Sequence, residues 1–251
     1  MSHPPRPSGF RSGDTVACVA TPTLIKGSRS TRSTIALKLL MAVTGLVFIG
    51  YVLLHMYGNL KVFAGQEAFD EYAHHLRTFG EPMLPYGGLL WTVRVVLLLS
   101  IVGHAYAAFA LWARAGRART QKYVVRKAVA STLSSKMMRW GGVALLLFVI
   151  FHLLHFTTQT VHPGGVTESP YERVVNSFAP EYWYLTVIYL LAMVALAMHL
   201  RHGVWSASQT LGLTNSAASR TRANLAGVFL AVVIAGGFAL VPLSILLGLV
   251  D

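Results

Sequence analysis

The chain has 251 residues, of which 54% are hydrophobic and only 12% charged, with a net charge of +12. Soluble domains carry about 25% charged residues, so this composition excludes an ordinary soluble enzyme and leaves no room for a separate catalytic domain. The single cysteine, Cys18, excludes an internal disulfide and an iron–sulfur cluster held by cysteines of this chain alone.

Residues 1–32 are rich in Pro, Gly, Ser, Thr and Arg, the composition of a mobile basic tail. The apolar stretch 15–20 is too short for the h-region of a signal peptide. Five stretches free of Asp, Glu, Lys and Arg follow, at 39–60, 95–113, 140–167, 182–200 and 223–250. A membrane span needs about 20 mostly apolar residues. The expected fold is therefore an all-α membrane protein with residues 33–251 as one five-helix unit. Its spans are expected at about 36–57, 88–113, 138–160, 182–207 and 222–249.

Gly58 and Asn59 mark the end of helix I. In the following loop, Phe69, Tyr72, Ala73 and Leu76 have the spacing of a short amphipathic surface helix over 66–79, which Pro82 and Pro85 end. The basic loop 114–136 begins as an extension of helix II. His162, Pro163, Gly164 and Gly165 break helix III, and an outer loop runs on to Pro180. Gly212 and residues 215–219 form the last inner turn. Helix V has no histidine, as suits a peripheral helix beside a four-helix cofactor bundle.

The positive charge is topological, and no nucleic acid partner is implied. Seventeen of the 21 Lys and Arg residues fall in the tail and the start of helix I, the II–III loop and the IV–V loop. Eight of the nine acids fall on the other side. The positive-inside rule then places the N-terminus in the cytoplasm and the C-terminus outside.

Six of the ten histidines lie inside the expected spans: His55, His104, His152, His155, His199 and His202. Ionisable residues at membrane depth are costly and mark functional sites, and neutral imidazole is a common ligand of iron, including haem iron. Helices II and IV run inward, and His104 and His199 each lie about 16 residues in, at matching depth in the inner half. Helices I and III run outward, which puts His55, His152 and His155 in the outer half. Two histidine levels, each drawn from two helices, suit two b-type haems held by facing helices of a bundle. A lone helical histidine is as readily explained by a hydrogen bond to a neighbouring backbone or hydroxyl group. His152/His155 and His199/His202 are spaced i, i+3, so each pair shares a face and only one member can bind a given iron. His74 and His75 read as solvated surface residues, and His3 and His162 carry no argument.

A quinone needs hydrogen-bond donors for its carbonyls and an apolar slot for its tail. An inner set of Ser33, Lys38, His202, Trp205 and Ser206 offers this, and so does an outer set of His55, Tyr57, Asn59, Glu67 and His155. Tyr51, Tyr57, Trp91, Trp112, Trp140, Tyr182, Trp183 and Tyr184 form the aromatic belts of the two interfaces.

Three stretches resemble a known family. The first joins Ser33, Lys38, Met41, Thr44 and Gly45 to His55, Met56, Tyr57, Gly58 and Asn59. The second runs from Gln66 and Phe69 through Tyr72 to Arg77. The third joins His199, Arg201, His202, Gly203, Trp205 and Ser206 to Gln209 and Gly212. They are similar to the cytochrome b membrane anchor of succinate dehydrogenase and fumarate reductase, in its single-chain, five-helix form. The likeness covers 33–212, and the helix alignment carries it to the end of the chain.

The resemblance implies a non-flavin subunit of respiratory complex II in the bacterial plasma membrane. It would be docked on a flavoprotein and an iron–sulfur subunit, surrounded by lipid, and open to higher oligomerisation. Succinate chemistry would lie in the partners, and this chain would pass electrons to quinone. The family's haem b ligands fall on His55, His104, His152 and His199, pairing His104 with His199 and His55 with His152. By depth, however, His155 lies nearer His55 than His152 does, so His155 and His202 stay open as alternates. Five-helix di-haem relatives favour the outer quinone set. The alternatives are a different iron centre using these histidines with partner-supplied ligands, a di-haem anchor of another membrane dehydrogenase, and a proton-coupled transporter with a histidine relay.

Overall fold

The computed structural model describes residues 33–117 and 133–250, and among these there is no strand. The helices are α1 (Thr34–Leu60), α2 (Gln66–Thr78), α3 (Gly88–Arg117), α4 (Leu133–His152), α5 (Pro170–Phe178), α6 (Trp183–Thr210) and α7 (Ala217–Leu246). Five of them, α1, α3, α4, α6 and α7, are long and apolar enough to cross a membrane. The tail 1–32 and the core of the basic loop, 118–132, lie outside the described residues.

Local signals set the helix starts. Ser33 caps α1 by accepting the Ala36 amide at 3.0 Å. Ser216 and Ser219 form a reciprocal capping box on α7, which starts that helix five residues earlier than the expected span at 222. Helix α4 starts at Leu133 and does not stay α-helical to residue 160. A π turn over Leu153–Thr157 closes it, with the Thr158 amide donating to the Leu153 carbonyl at 3.0 Å. Such turns are frequent at functional sites.

The outer segment before Pro180, expected to be loop, contains the helix α5. Ser169 caps it by accepting the Glu172 amide at 3.2 Å, and Pro170 occupies the first turn. Asp70 of α2 accepts the Ser169 hydroxyl at 2.6 Å and the Tyr171 amide at 3.0 Å. A buried cluster of Val62, Phe69, Tyr171, Val174, Phe178, Tyr189, Val241 and Ile245 then seats α2 and α5 on the N-terminal end of α6 and the C-terminal end of α7.

Helix α6 packs along α7 and α4, and α1 packs against α3, α6 and α7. The histidine-bearing helices thus form an arc, α3–α1–α6–α4. Trp112 and Trp140 bring α3 and α4 together at one end, with ring centroids 5.5 Å apart and Arg139 over the Trp112 ring. Helix α7 stands beside this arc, as expected of the helix without histidine, yet it is firmly packed. Its apolar window is 39% buried, against 6% for α3 and 0% for the Met137–Thr157 span. At Gly227 a Cβ would sit 2.8 Å from the Arg201 carbonyl oxygen, so glycine there permits the close α6–α7 contact. The open faces of α3 and α4 carry apolar side chains such as Leu98, Leu99, Val102, Leu147 and Ile150, and the histidines lie on the less exposed faces.

Candidate functional site

The histidines form two groups. In the inner group the rings of His104 and His199 face across from α3 to α6 with centroids 6.2 Å apart. Thr44 of α1 donates its hydroxyl to the Leu40 carbonyl at 2.7 Å, and its oxygen lies 3.0 Å from His104 Nδ1. The hydroxyl proton being spent, Nδ1 carries the proton of that contact and His104 Nε2 keeps its lone pair. Phe48 packs edge-on against His104. On the other side, the backbone of Gly142 lies against His199, where a Cβ would be 3.5 Å from Cε1. His199 Nδ1 is buried with no hydrogen-bond partner among the described residues.

In the outer group His55 of α1 faces His152 of α4 at 5.9 Å between centroids. His55 stacks on Tyr51 at 5.4 Å, and Phe238 of α7 closes its far side. His152 Nδ1 lies 3.2 Å from the Tyr189 hydroxyl of α6. The same hydroxyl lies 2.9 Å from His155 Nδ1, and His155 Nε2 lies 3.1 Å from Ser177 Oγ. His155 is 0% exposed, and both its nitrogens are engaged. The ring set against His55 is that of His152, although depth along an ideal helix favours His155.

The spacing between the groups follows from the helices. Thr44, beside the inner pair, and His55 are eleven residues apart on α1, about 16 Å at 1.5 Å per residue. On α6, Tyr189 and His199 are ten residues apart, about 15 Å.

Two imidazoles bound on opposite sides of one metal at ~2 Å stand with ring centroids about 6 Å apart. Both pairs meet that spacing, and the buried His199 Nδ1, with no hydrogen-bond partner among the described residues, marks a site incomplete on its own. Among the described residues no group of three or more His, Cys, Asp or Glu gathers as a metal site. Each level therefore brings two imidazoles together, a donor set that would suit a haem, whose ring would supply the other ligands.

The residues of the outer quinone set are spread over different surroundings. Tyr57 is 54% exposed and meets Tyr72 edge-on, with Lys61 over both rings. Tyr57, Leu60, Lys61, Phe63 and Ala64 line an open hollow of about 400 Å³. Burial pushes the Tyr72 phenol above its usual pKa, Tyr57 adding to the rise and Lys61 opposing it. Asn59 donates to the His55 carbonyl at 2.8 Å, Glu67 is exposed on the first turn of α2, and His155 lies buried behind Tyr189. Of the inner set, Ser33 serves as the α1 cap and Lys38 is exposed, while His202, Trp205 and Ser206 are half-buried near the end of α6.

Sequence reasoning did not find Tyr189, Thr44 as a partner of His104, or Ser177. It also set His162 aside, although His162 Nε2 lies 3.0 Å from the Arg173 carbonyl and 3.1 Å from Ser177 Oγ. A tyrosine in mid-span is the one signal that pointed towards Tyr189, since its hydroxyl needs a partner there.

No curated protein and no solved structure matches the chain. A family described as succinate dehydrogenase/fumarate reductase transmembrane subunit matches residues 113–239, a stretch that holds His152, His155, Tyr189 and His199. That match covers half of the chain. With five spans and two facing histidine pairs, the chain belongs to the family of succinate dehydrogenase/fumarate reductase transmembrane subunits, the membrane anchors of complex II.

Proposed function

We propose that this anchor relays electrons from an iron–sulfur partner subunit to quinone, with two haem b groups held by His104/His199 and His55/His152. The facing of two imidazole pairs, at 6.2 and 5.9 Å between centroids, is the observation that carries this reading. Haem at each level supplies reversible one-electron carriage. The chain's own contribution is four neutral imidazoles, a low-dielectric surround, and hydrogen bonds that fix the rings. The engagement of both His155 nitrogens supports His152 as the outer ligand.

The flavoprotein and iron–sulfur subunits would dock on the basic cytoplasmic face, with the N-terminus inside and the C-terminus outside a bacterial plasma membrane. Arg114 and Arg139 edge that face, and four more of its basic residues, Arg119, Lys122, Arg126 and Lys127, lie in 118–132. Quinone would bind at the outer end, in the hollow lined by Tyr57, Leu60 and Lys61, which follow His55 in the sequence. The inner set around His202 and Trp205 is the competing location.

The test is a reduced-minus-oxidised spectrum with iron analysis on the purified complex. Two components are expected. His104→Ala or His199→Ala should remove one, and His55→Ala or His152→Ala the other. A complex with no haem spectrum and full quinone reduction would sink the reading.

A further inference from the structure

We propose that Tyr189 is the positioning residue of the outer level: oriented by His155, its hydroxyl accepts the Nδ1 proton of His152 and leaves the His152 Nε2 lone pair for iron. This rests on the reading of His152 as an outer ligand.

The proton positions follow from the partners, beginning at backbone groups whose roles are fixed. The Gly164 amide donates to His162 Nδ1 at 3.2 Å, so that nitrogen is bare and His162 Nε2–H donates to the Arg173 carbonyl at 3.0 Å. Ser177 donates its hydroxyl to the same carbonyl at 2.6 Å. With its proton spent, Ser177 Oγ accepts from His155 Nε2–H at 3.1 Å. His155 Nδ1 is then bare and accepts the Tyr189 hydroxyl at 2.9 Å. Tyr189 has no second proton, so towards His152 Nδ1, at 3.2 Å, it can only accept. His162 Nε2–H is shared between the Arg173 carbonyl and Ser177 Oγ, which it meets at 3.1 Å. Every other donor in the series is used once, and the last step protonates His152 on Nδ1.

The local fold explains how one hydroxyl serves two histidines. The π turn over Leu153–Thr157 carries His155, and both it and His152 reach the Tyr189 hydroxyl. Helix α5 supplies Ser177 and the Arg173 carbonyl. The outer cap thus sets the tautomer of a residue in the adjoining span.

An acceptor on the non-ligating nitrogen fixes a ligand's tautomer and ring orientation and raises its basicity. A more basic imidazole favours the ferric state, so losing the acceptor should raise the reduction potential of that level alone. The measurement is a redox titration with low-temperature EPR on the intact complex, the outer component being the one lost in His55→Ala. In Tyr189→Phe the potential of the outer component should rise by ~59 mV, a roughly tenfold fall in its ferric-to-ferrous ratio at fixed potential, and the inner component should stay. His155→Gln should keep the wild-type potential, because its amide can accept from Tyr189 and donate to Ser177. His155→Leu should shift it, because the freed Tyr189 hydroxyl then competes for His152 Nδ1.

Unchanged potentials and EPR signals in Tyr189→Phe would overturn the proposal. If that variant does not assemble, identical behaviour of His155→Gln and His155→Leu would overturn it. Loss of a whole component in His155→Gln would make His155 the ligand and overturn it too. Absence of haem from the wild-type complex would instead defeat the functional reading beneath it.

Discussion

At the inner level Thr44 stands to His104 as Tyr189 stands to His152. Its hydroxyl proton is committed to the Leu40 carbonyl, and its oxygen takes the His104 Nδ1 proton at 3.0 Å. Thr44 is 7% exposed, so bulk water does not replace the bond. Thr44→Val keeps the shape and removes the acceptor. Leaving a buried N–H unpaired costs about 1–3 kcal/mol, and each kcal/mol moves the melting temperature by roughly 2–4 °C in a chain of this size. The complex should therefore melt lower, and only the inner spectral component should shift; Thr44→Ser should restore both. An unshifted inner component in Thr44→Val would show that the bond does not act on the cofactor. The pairing of His104 with His199 was legible from counting along two helices of the same direction. The ring opposite His55 was not, because counting assumes α geometry and a π turn intervenes just beyond His152.

The same contrast holds between elements. Helix α2 was readable because Phe69, Tyr72, Ala73 and Leu76 repeat at helical spacing over enough residues to show a face. Helix α5 has only nine residues between proline-bounded segments, too short for periodicity to speak. Its start was nevertheless written in the chain as Ser169, Pro170 and Glu172, a cap, a first-turn proline and an acid. What holds it in place is Asp70, 99 residues from Ser169 in sequence, a partner no local pattern identifies. Asp70→Ala removes two acceptor contacts at the α5 N-terminus and should cost about 0.5–2 kcal/mol of local stability. Hydrogen exchange at 171–178 should quicken while the spans keep their protection. Unchanged exchange there would mean that the buried cluster around Tyr171, Val174 and Phe178 holds α5 without help. Helix α7 shows a different limit: the lack of histidine placed it outside the cofactor arc but gave no hint of how closely Gly227 lets it pack on α6.

Across the whole molecule, two asymmetries run along one axis. In the sequence, basic residues gather in the segments expected on one side of the membrane and acidic residues in those expected on the other, and the two histidine pairs lie about 15 Å apart along the helices. With the basic end in the cytoplasm and quinone at the outer end, as proposed, electrons from succinate would travel outward. The potential is negative inside, so an outward electron moves downhill, by about 2.3 kcal/mol per 100 mV if it crosses the full field. Collapse of the potential should therefore slow succinate-driven quinone reduction, and the reverse reaction should quicken. Proteoliposomes oriented with the soluble subunits on the inside allow the check, with valinomycin and a potassium gradient setting the potential. An inside-negative potential should raise the forward rate, and an inside-positive one should lower it. A quinone bound instead beside His202 and Trp205 sits near the side where electrons enter, so the rate would not respond to either gradient. Insensitivity in sealed, oriented vesicles would place quinone chemistry at the inner end and leave the outer histidine pair needing another purpose.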